Sequence, residues 1–307
     1  MQDWIREVID GDARATGEIR MTKPWKDQYV EVDGIDTHYI EAGEGETILL
    51  IHGGGVSSSA EVNYGAAMEP LSRNFRVIAV DNVGYGLTPG RAPEHYAAEA
   101  QGRHLVKFME ALDLKAHVGG NSHGGWLCQY VAHEARDRVL RLIVINSLNG
   151  TQRIPPEPEG LKYIFGPKGH SHEEPDRDRI REGMKKFFVD QSLVTDERVN
   201  LHYEIAVRNR DFALDRAKAR SSSVEALNED LSYRGKHISE FAGDLDMPVL
   251  MTWSRENRGS TPEDAMAFYN RVPDVEMHVF PNAGHHVMTE HPERWSSVVT
   301  DFLKSER

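Results

Sequence analysis

The stretch GGNSHGGWLCQYVAHE, residues 119–134, decides the fold. It follows the apolar run Ala116-His117-Val118 and leads into Trp126–Ala135, a segment suited to a helix, so it reads as strand, turn, helix. Gly120-Asn121-Ser122-His123-Gly124 fits G-x-S-x-G, a turn in which small flanking residues let a serine sit at a strained corner with its hydroxyl exposed. The helix N-terminus behind it favours developing negative charge. The plainer reading is a serine that caps a helix in a glycine-rich loop. The motif alone does not separate the two.

The context on either side does. Residues 48–55, ILLIHGGG, place His52-Gly53-Gly54-Gly55 directly after an early strand, a glycine turn whose backbone N–H groups can complete an oxyanion hole. Near the C-terminus, VEMHVFPNAGHH (275–286) ends a strand and then offers His285 on a short loop, where a general base can reach over a sheet. Oxyanion turn, nucleophile and histidine in that order point to Ser122 as a nucleophile.

Composition narrows the partners. The chain has 307 residues, and its 49 acidic against 36 basic side chains leave a net charge of −13, which opposes nucleic acid and anionic membranes. A single cysteine, Cys128, excludes an intramolecular disulfide and suits a reducing compartment. The first twenty residues mix charges and lack the apolar core of a signal peptide, and no window reaches 18 apolar residues. The expectation is a cytoplasmic protein acting on a small molecule, in which the Asn149-Gly150-Thr151 sequon has no role. The sequence leaves open whether copies associate into a homo-oligomer.

Short β-branched runs alternate with helix-like segments, which predicts an α/β class with a mostly parallel, eight-stranded sheet and helices on both faces. YVEVDG and DTHYIEAG read as an opening hairpin; TILLIH, RVIAVD, AHVGGN, RLIVIN, PVLMTW and VEMHVF follow as strands. Residues 151–245 carry no comparable run, and from Arg177 to Asn228 they are charged and helix-periodic. So long an interval is an inserted helical cap. The expected layout is an N-terminal arm at 1–27, a core at 28–149 and 241–307, and a cap at 150–240.

With these residues in view, the chain from about residue 28 onward resembles the α/β-hydrolase fold family. Within it the chain looks most like the meta-cleavage product hydrolases, which split carbon–carbon bonds in ring-opened aromatic degradation products. VDGIDTHYIEAGEGETILLIHGGG, GNSHGG, the cap segment FFVDQSLVTDERV and the closing NAGHHVMTEHPERW carry the resemblance. It implies Ser122 as nucleophile and His285 as acid/base, with the backbone of His123 and of Gly54 or Gly55 holding an oxyanion. Gly53, Asn121, Trp126, His202 and His286 would line a pocket for an aromatic-derived carboxylate, with no metal and no cofactor.

The resemblance fails where the family places an aspartate after its seventh strand. The matching stretch is Trp253-Ser254-Arg255-Glu256-Asn257-Arg258, which puts Asn257 in the acid's place. An amide orients an imidazole but cannot stabilise its cation electrostatically. Glu256 is a candidate substitute; the alternative position after the sixth strand offers Asn146 and Ser147, neither of them acidic. Likewise, His202 and His286 stand where the family carries a cap arginine and a tryptophan, with Arg208 or Arg210 nearby to supply a permanent charge. The elbow Ser122–Trp126 also resembles that of cofactor-independent ring-cleaving dioxygenases. An ester or lactone hydrolase and a weakly catalytic binder stay open beside it.

Other patterns are plainer. Gly169-His170-Ser171-His172-Glu173-Glu174 has metal-ligand residue types in a solvated, charged loop. Gly84-x-Gly86 lacks the remainder of a dinucleotide fingerprint and reads as a structural turn. Cys128 reads as core packing, and His104, His117 and His133 read as surface or satisfied polar residues.

Overall fold

The computed structural model describes residues 23–90, 93–154, 174–219 and 224–306. Most of the predicted N-terminal arm, and His170 and His172 of the histidine-rich loop, lie outside them.

The strands are β1 (Lys26–Val32), β2 (Ile35–Ala42), β3 (Thr47–Ile51), β4 (Arg76–Val80), β5 (Ala116–Asn121), β6 (Val139–Ile145), β7 (Ser232–Tyr233), β8 (Lys236–His237), β9 (Val249–Ser254) and β10 (Val275–Phe280). Eight of them form one sheet in the order β1-β2-β4-β3-β5-β6-β9-β10. The two antiparallel pairings lie at one edge, β1 with β2 and β2 with β4; from β4 to β10 every pairing is parallel. Asp33 and Gly34 make the β1–β2 hairpin at φ 49° and 73°, the paired positive angles a two-residue turn of this hand requires. The predicted eight strands and their hairpin are all present.

β3 and β5 are buried along their whole length because helices cover both faces of a parallel sheet. Period-two alternation then sorts their residues. Leu49, Ile51, Val80, Val118 and Val144 face one core, shared with α2 (Ala98–Ala111) and α3 (His123–Glu134). Ile48, Leu50, Ala79, Ile143 and Ile145 face the other, shared with α1 (Ala60–Ser72) and α10 (Pro292–Lys304). Each fully buried Val, Leu or Ile among them contributes about 1.5–3 kcal/mol.

Between β6 and β9 run α4 (Leu148–Thr151), α5 (Arg177–Phe187), α6 (Asp196–Ala219) and α7 (Val224–Asp230), followed by the small β7–β8 hairpin, which the sequence pattern does not announce. α6 docks on the core through Phe212, whose ring meets Tyr85 at 5.6 Å and Tyr96 at 5.0 Å. Asn209 donates to the carbonyls of Val56 and Ser58 at 2.8 and 3.2 Å, which seats α6 over the loop after β3. The remaining helices are α8 (Pro262–Tyr269) and α9 (Val287–Glu290). No helix among the described residues is long and apolar enough to cross a membrane.

The side residues resolve simply. Cys128 is buried on α3, and burial pushes its thiol pKa up. His104 and His117 are buried, so the surface reading is corrected for both: His104 shares a hydrogen bond with Thr37 and His117 lies against Glu46, while His133 stacks on Tyr233. Gly84 and Gly86 both have positive φ, in a turn braced by the Asp81 carboxylate, which accepts from the Leu87 N–H at 2.8 Å.

Candidate active site

Parallel strands end together, so the carboxyl ends of β3, β5, β6, β9 and β10 deliver His52, Ser122, Asn146, Asn257 and His285 to one edge of the sheet, where open α/β sheets bind ligands.

Ser122 occupies the turn between β5 and α3 at φ 55°, ψ −117°, a conformation unfavourable for any residue with a side chain. Two glycines make it accessible. A Cβ on Gly120 would lie 1.9 Å from the Gly124 carbonyl oxygen, and one on Gly124 would lie 2.1 Å from that of Ile51. The main chain holds the corner: Ser122 N–H donates to Ile145 O at 2.9 Å, and its carbonyl accepts from Gly125 N–H at 2.9 Å and from Ser147 Oγ at 2.5 Å. Its side chain makes no capping hydrogen bond although Ser122 stands at the cap position of α3. The capping reading therefore fails, and the hydroxyl is left for other work.

The glycine turn wraps this corner. Gly53 and Gly54 approach so closely that added side chains would come within 3.4 Å of Ser122 Cβ and 3.2 Å of His123 Cβ. His52 fixes the turn: its Nε2 accepts from Asn82 N–H at 3.0 Å, so its Nδ1 carries the proton and donates to Gly53 O at 2.7 Å. Carbonyls of Gly54 and Gly55 accept from Tyr85 Oη at 3.2 Å and from Ser58 N–H at 2.9 Å.

His285 is held by its main chain as much as by its ring. Its carbonyl accepts from Asn146 Nδ2 at 3.1 Å and Asn121 Nδ2 at 3.4 Å, and its N–H donates to Phe187 O at 2.9 Å. Nδ1 lies 3.2 Å from Asn257 Oδ1. The same oxygen accepts from Gly259 N–H at 3.4 Å, which identifies it as an acceptor and makes imidazole Nδ1 the donor. Nε2 is then the basic nitrogen. Burial without a compensating carboxylate pulls the imidazole pKa down to about 4, so the ring is neutral at ordinary pH. Glu256 does not replace the missing acid: its carboxylate accepts from Ala283 N–H at 3.2 Å and pairs with Arg255.

Pocket residues divide. Asn121 and Trp126 are fully buried; Asn121 also bonds Asn63 at 3.2 Å, and the Trp126 indole donates to Leu231 O at 2.8 Å. Both brace the elbow from behind, so the expectation that they line a pocket is corrected. His123 is similarly occupied: its ring nitrogen Nε2 lies 2.9 Å from Gln101 Oε1, and its Cβ and ring pack against Gly54 of the glycine turn. His202 Nδ1 shares a hydrogen bond with Ser57 Oγ at 3.1 Å, and His286 packs against Phe188 and Phe187 with centroids 5.8 and 6.0 Å apart.

A cationic residue near His202 and His286 is one the sequence reading passed over. Arg208 is exposed and Arg210 is paired with Glu174 and Asp211. Arg198 lies one turn before His202 on α6, over the Phe188 ring at 5.7 Å, and its charge acts on both His202 and His286. Burial, then Arg198, brings the His202 pKa down to about 4, while burial lowers the Arg198 pKa itself. Among the described residues no carboxylate forms a salt bridge with Arg198. The signal was its i,i+4 spacing from His202, which puts both on one helix face.

Residues 46–292 match the family described as alpha/beta hydrolase fold. A 2-hydroxy-6-oxo-2,4-heptadienoate hydrolase of Pseudomonas putida is 31% identical over 278 residues, covering 89% of this chain and 94% of the relative. A 2-hydroxy-6-oxononadienedioate/2-hydroxy-6-oxononatrienedioate hydrolase of Paraburkholderia xenovorans is 29% identical, covering 89% and 92%. The crystal structure of a meta-cleavage product hydrolase superposes with a TM-score of 0.77 at 28% identity, covering 92% of this chain and 98% of the other.

Proposed function

Because the chain belongs to the α/β-hydrolase family, we propose that it hydrolyses the carbon–carbon bond of a 2-hydroxy-6-oxo-dienoate, the ring-opened product of an aromatic compound. The observation that carries this reading is the strained Ser122, free of a capping bond, at the sheet edge that also carries the glycine turn and His285, in a chain whose relatives over nearly their full length include dienoate hydrolases.

In this reading the dienol first ketonises, which turns the carbon beside the distal carbonyl into a leaving group. Ser122 Oγ attacks that carbonyl as His285 Nε2 takes the hydroxyl proton. The negative oxygen is received by the N–H groups of His123 and of Gly54 or Gly55, at the N-terminus of α3. Collapse breaks the C–C bond, and the proton on His285 passes to the departing carbon. Water, deprotonated by His285, then releases the acyl group from Ser122. Asn257 keeps the imidazole in the required tautomer throughout but leaves its cation without a counter-charge.

Arg198 supplies the place for the substrate carboxylate, beside His202 and His286. A partly buried guanidinium that no carboxylate among the described residues salt-bridges attracts an anion, and its fork geometry matches a carboxylate.

The test is a panel of ring-opened dienoates, aryl esters and heteroaromatic diols, assayed with and without oxygen. Anaerobic loss of the dienoate chromophore, abolished in Ser122→Ala, is the expected result. Turnover that requires oxygen, or that is confined to esters, overturns it.

A further inference from the structure

Glu290 closes α9 and is only 9% exposed, yet the mechanism makes no use of it. Its carboxylate is spent on main-chain donors from two distant parts of the chain. One oxygen, Oε1, accepts from Gly284 N–H at 2.5 Å; the other, Oε2, accepts from Val189 N–H at 2.6 Å and Asp190 N–H at 3.1 Å. Gly284 immediately precedes His285. Val189 and Asp190 belong to the connection between α5 and α6, the helix that carries Arg198 and His202.

The same junction holds a fourth bond, His285 N–H to Phe187 O at 2.9 Å, and here glycine matters: a Cβ on Gly284 would lie 2.0 Å from that carbonyl oxygen. Across it the Phe187 ring rests on His285 with centroids 5.4 Å apart, and Phe188 rests on His286 at 5.8 Å. The position of the imidazole and that of the α5–α6 connection are thus set together. Burying a carboxylate is costly unless its lone pairs are satisfied. Here burial raises the Glu290 pKa while the three N–H groups and nearby His291 work against that rise.

We infer that Glu290 is a positioning residue that clamps the α5–α6 connection to the histidine loop, so that the anion pocket on α6 and the general base are held in register. The inference rests on the proposed role of His285. A glutamine of the same shape can accept through its oxygen but presents an NH₂ where the second oxygen stood. One side of the junction, Gly284 or Val189 and Asp190, then faces a donor with a donor.

Glu290→Gln and Glu290→Asp test it by two readouts. Hydrogen exchange needs no substrate: in Glu290→Gln the amides of Val189 and Asp190, or that of Gly284, exchange faster by about tenfold or more, while amides of β3 and β5 stay protected. With a dienoate substrate, KM rises together with a fall in kcat, since register and not folded fraction is lost. Glu290→Asp keeps the charge but is a methylene too short to span the junction, and it shows the same pattern; it carries the test if the glutamine variant does not fold. Wild-type exchange at all three amides overturns the inference, whatever the substrate. So does a fall in kcat at unchanged KM that tracks a lower Tm. Absence of dienoate turnover by the parent protein overturns the functional reading alone, because the exchange result still decides the clamp.

Discussion

His285 Nδ1 meets the amide oxygen of Asn257 at 3.2 Å, where a carboxylate would complete a catalytic triad. The ring is oriented but not electrostatically supported, and its pKa lies at about 4. Asn257→Asp supplies the charge. In a serine protease the opposite exchange costs roughly 10⁴ in turnover, so a gain of about tenfold or more in kcat is expected. The acid limb of the kcat/KM profile, which reports the free enzyme's base, should also move up from near pH 4. An unchanged rate and profile would show that another group already does this work.

Ser122 stores strain at φ 55° that the reaction requires and the fold does not. Ser122→Gly relieves it, whereas Ser122→Ala keeps it. Both are expected to be inactive, but thermal melts should find the glycine variant more stable than the alanine variant by about 1 kcal/mol. Equal melting temperatures would mean that the turn is not strained.

Arg198 should act on binding more than on chemistry. Arg198→Gln removes a charge-assisted contact worth about 1.5–3 kcal/mol, which predicts a KM for dienoates higher by about tenfold or more with kcat changed less. A neutral aryl ester should show no such rise. If both substrates respond alike, Arg198 supports the fold instead.

A separate pH effect belongs to the core. His38 is buried, which disfavours its cation, but Asp27 at 3.2 Å and Asp81 at 2.7 Å outweigh burial and bring its pKa up to about 9. Because this exceeds the unfolded value of about 6.5, the contribution of His38 and its two carboxylates to stability is complete below pH 6.5 and is lost as pH rises through 9. Melting temperatures measured across that window should fall, and His38→Gln should flatten the decline while lowering the acid-side value. A flat wild-type curve rules the pairing out.

The chain's own residues determine more of this molecule than its divergence suggests. Strand runs, the Asp33-Gly34 hairpin turn, the elbow at Ser122 and the order of glycine turn, serine and histidine are all local, because each depends on periodicity or on backbone angles that few residue types adopt. Helices after Arg177 are legible for the same reason. The β7–β8 hairpin is not, since two-residue strands carry no periodicity. What tertiary structure alone decided is where polar groups spend their hydrogen bonds. Asn121 and Trp126 lie within four residues of Ser122 in sequence, yet their side chains turn into the core, to Asn63 and Leu231. Glu256 neighbours Asn257 but is taken by Ala283 N–H, which leaves an amide facing His285. Arg198 and Glu290 gain their places only when α6 and the connection before it fold over the sheet. Such choices depend on groups brought together from distant parts of the chain, whose competition for each donor and acceptor no local pattern records.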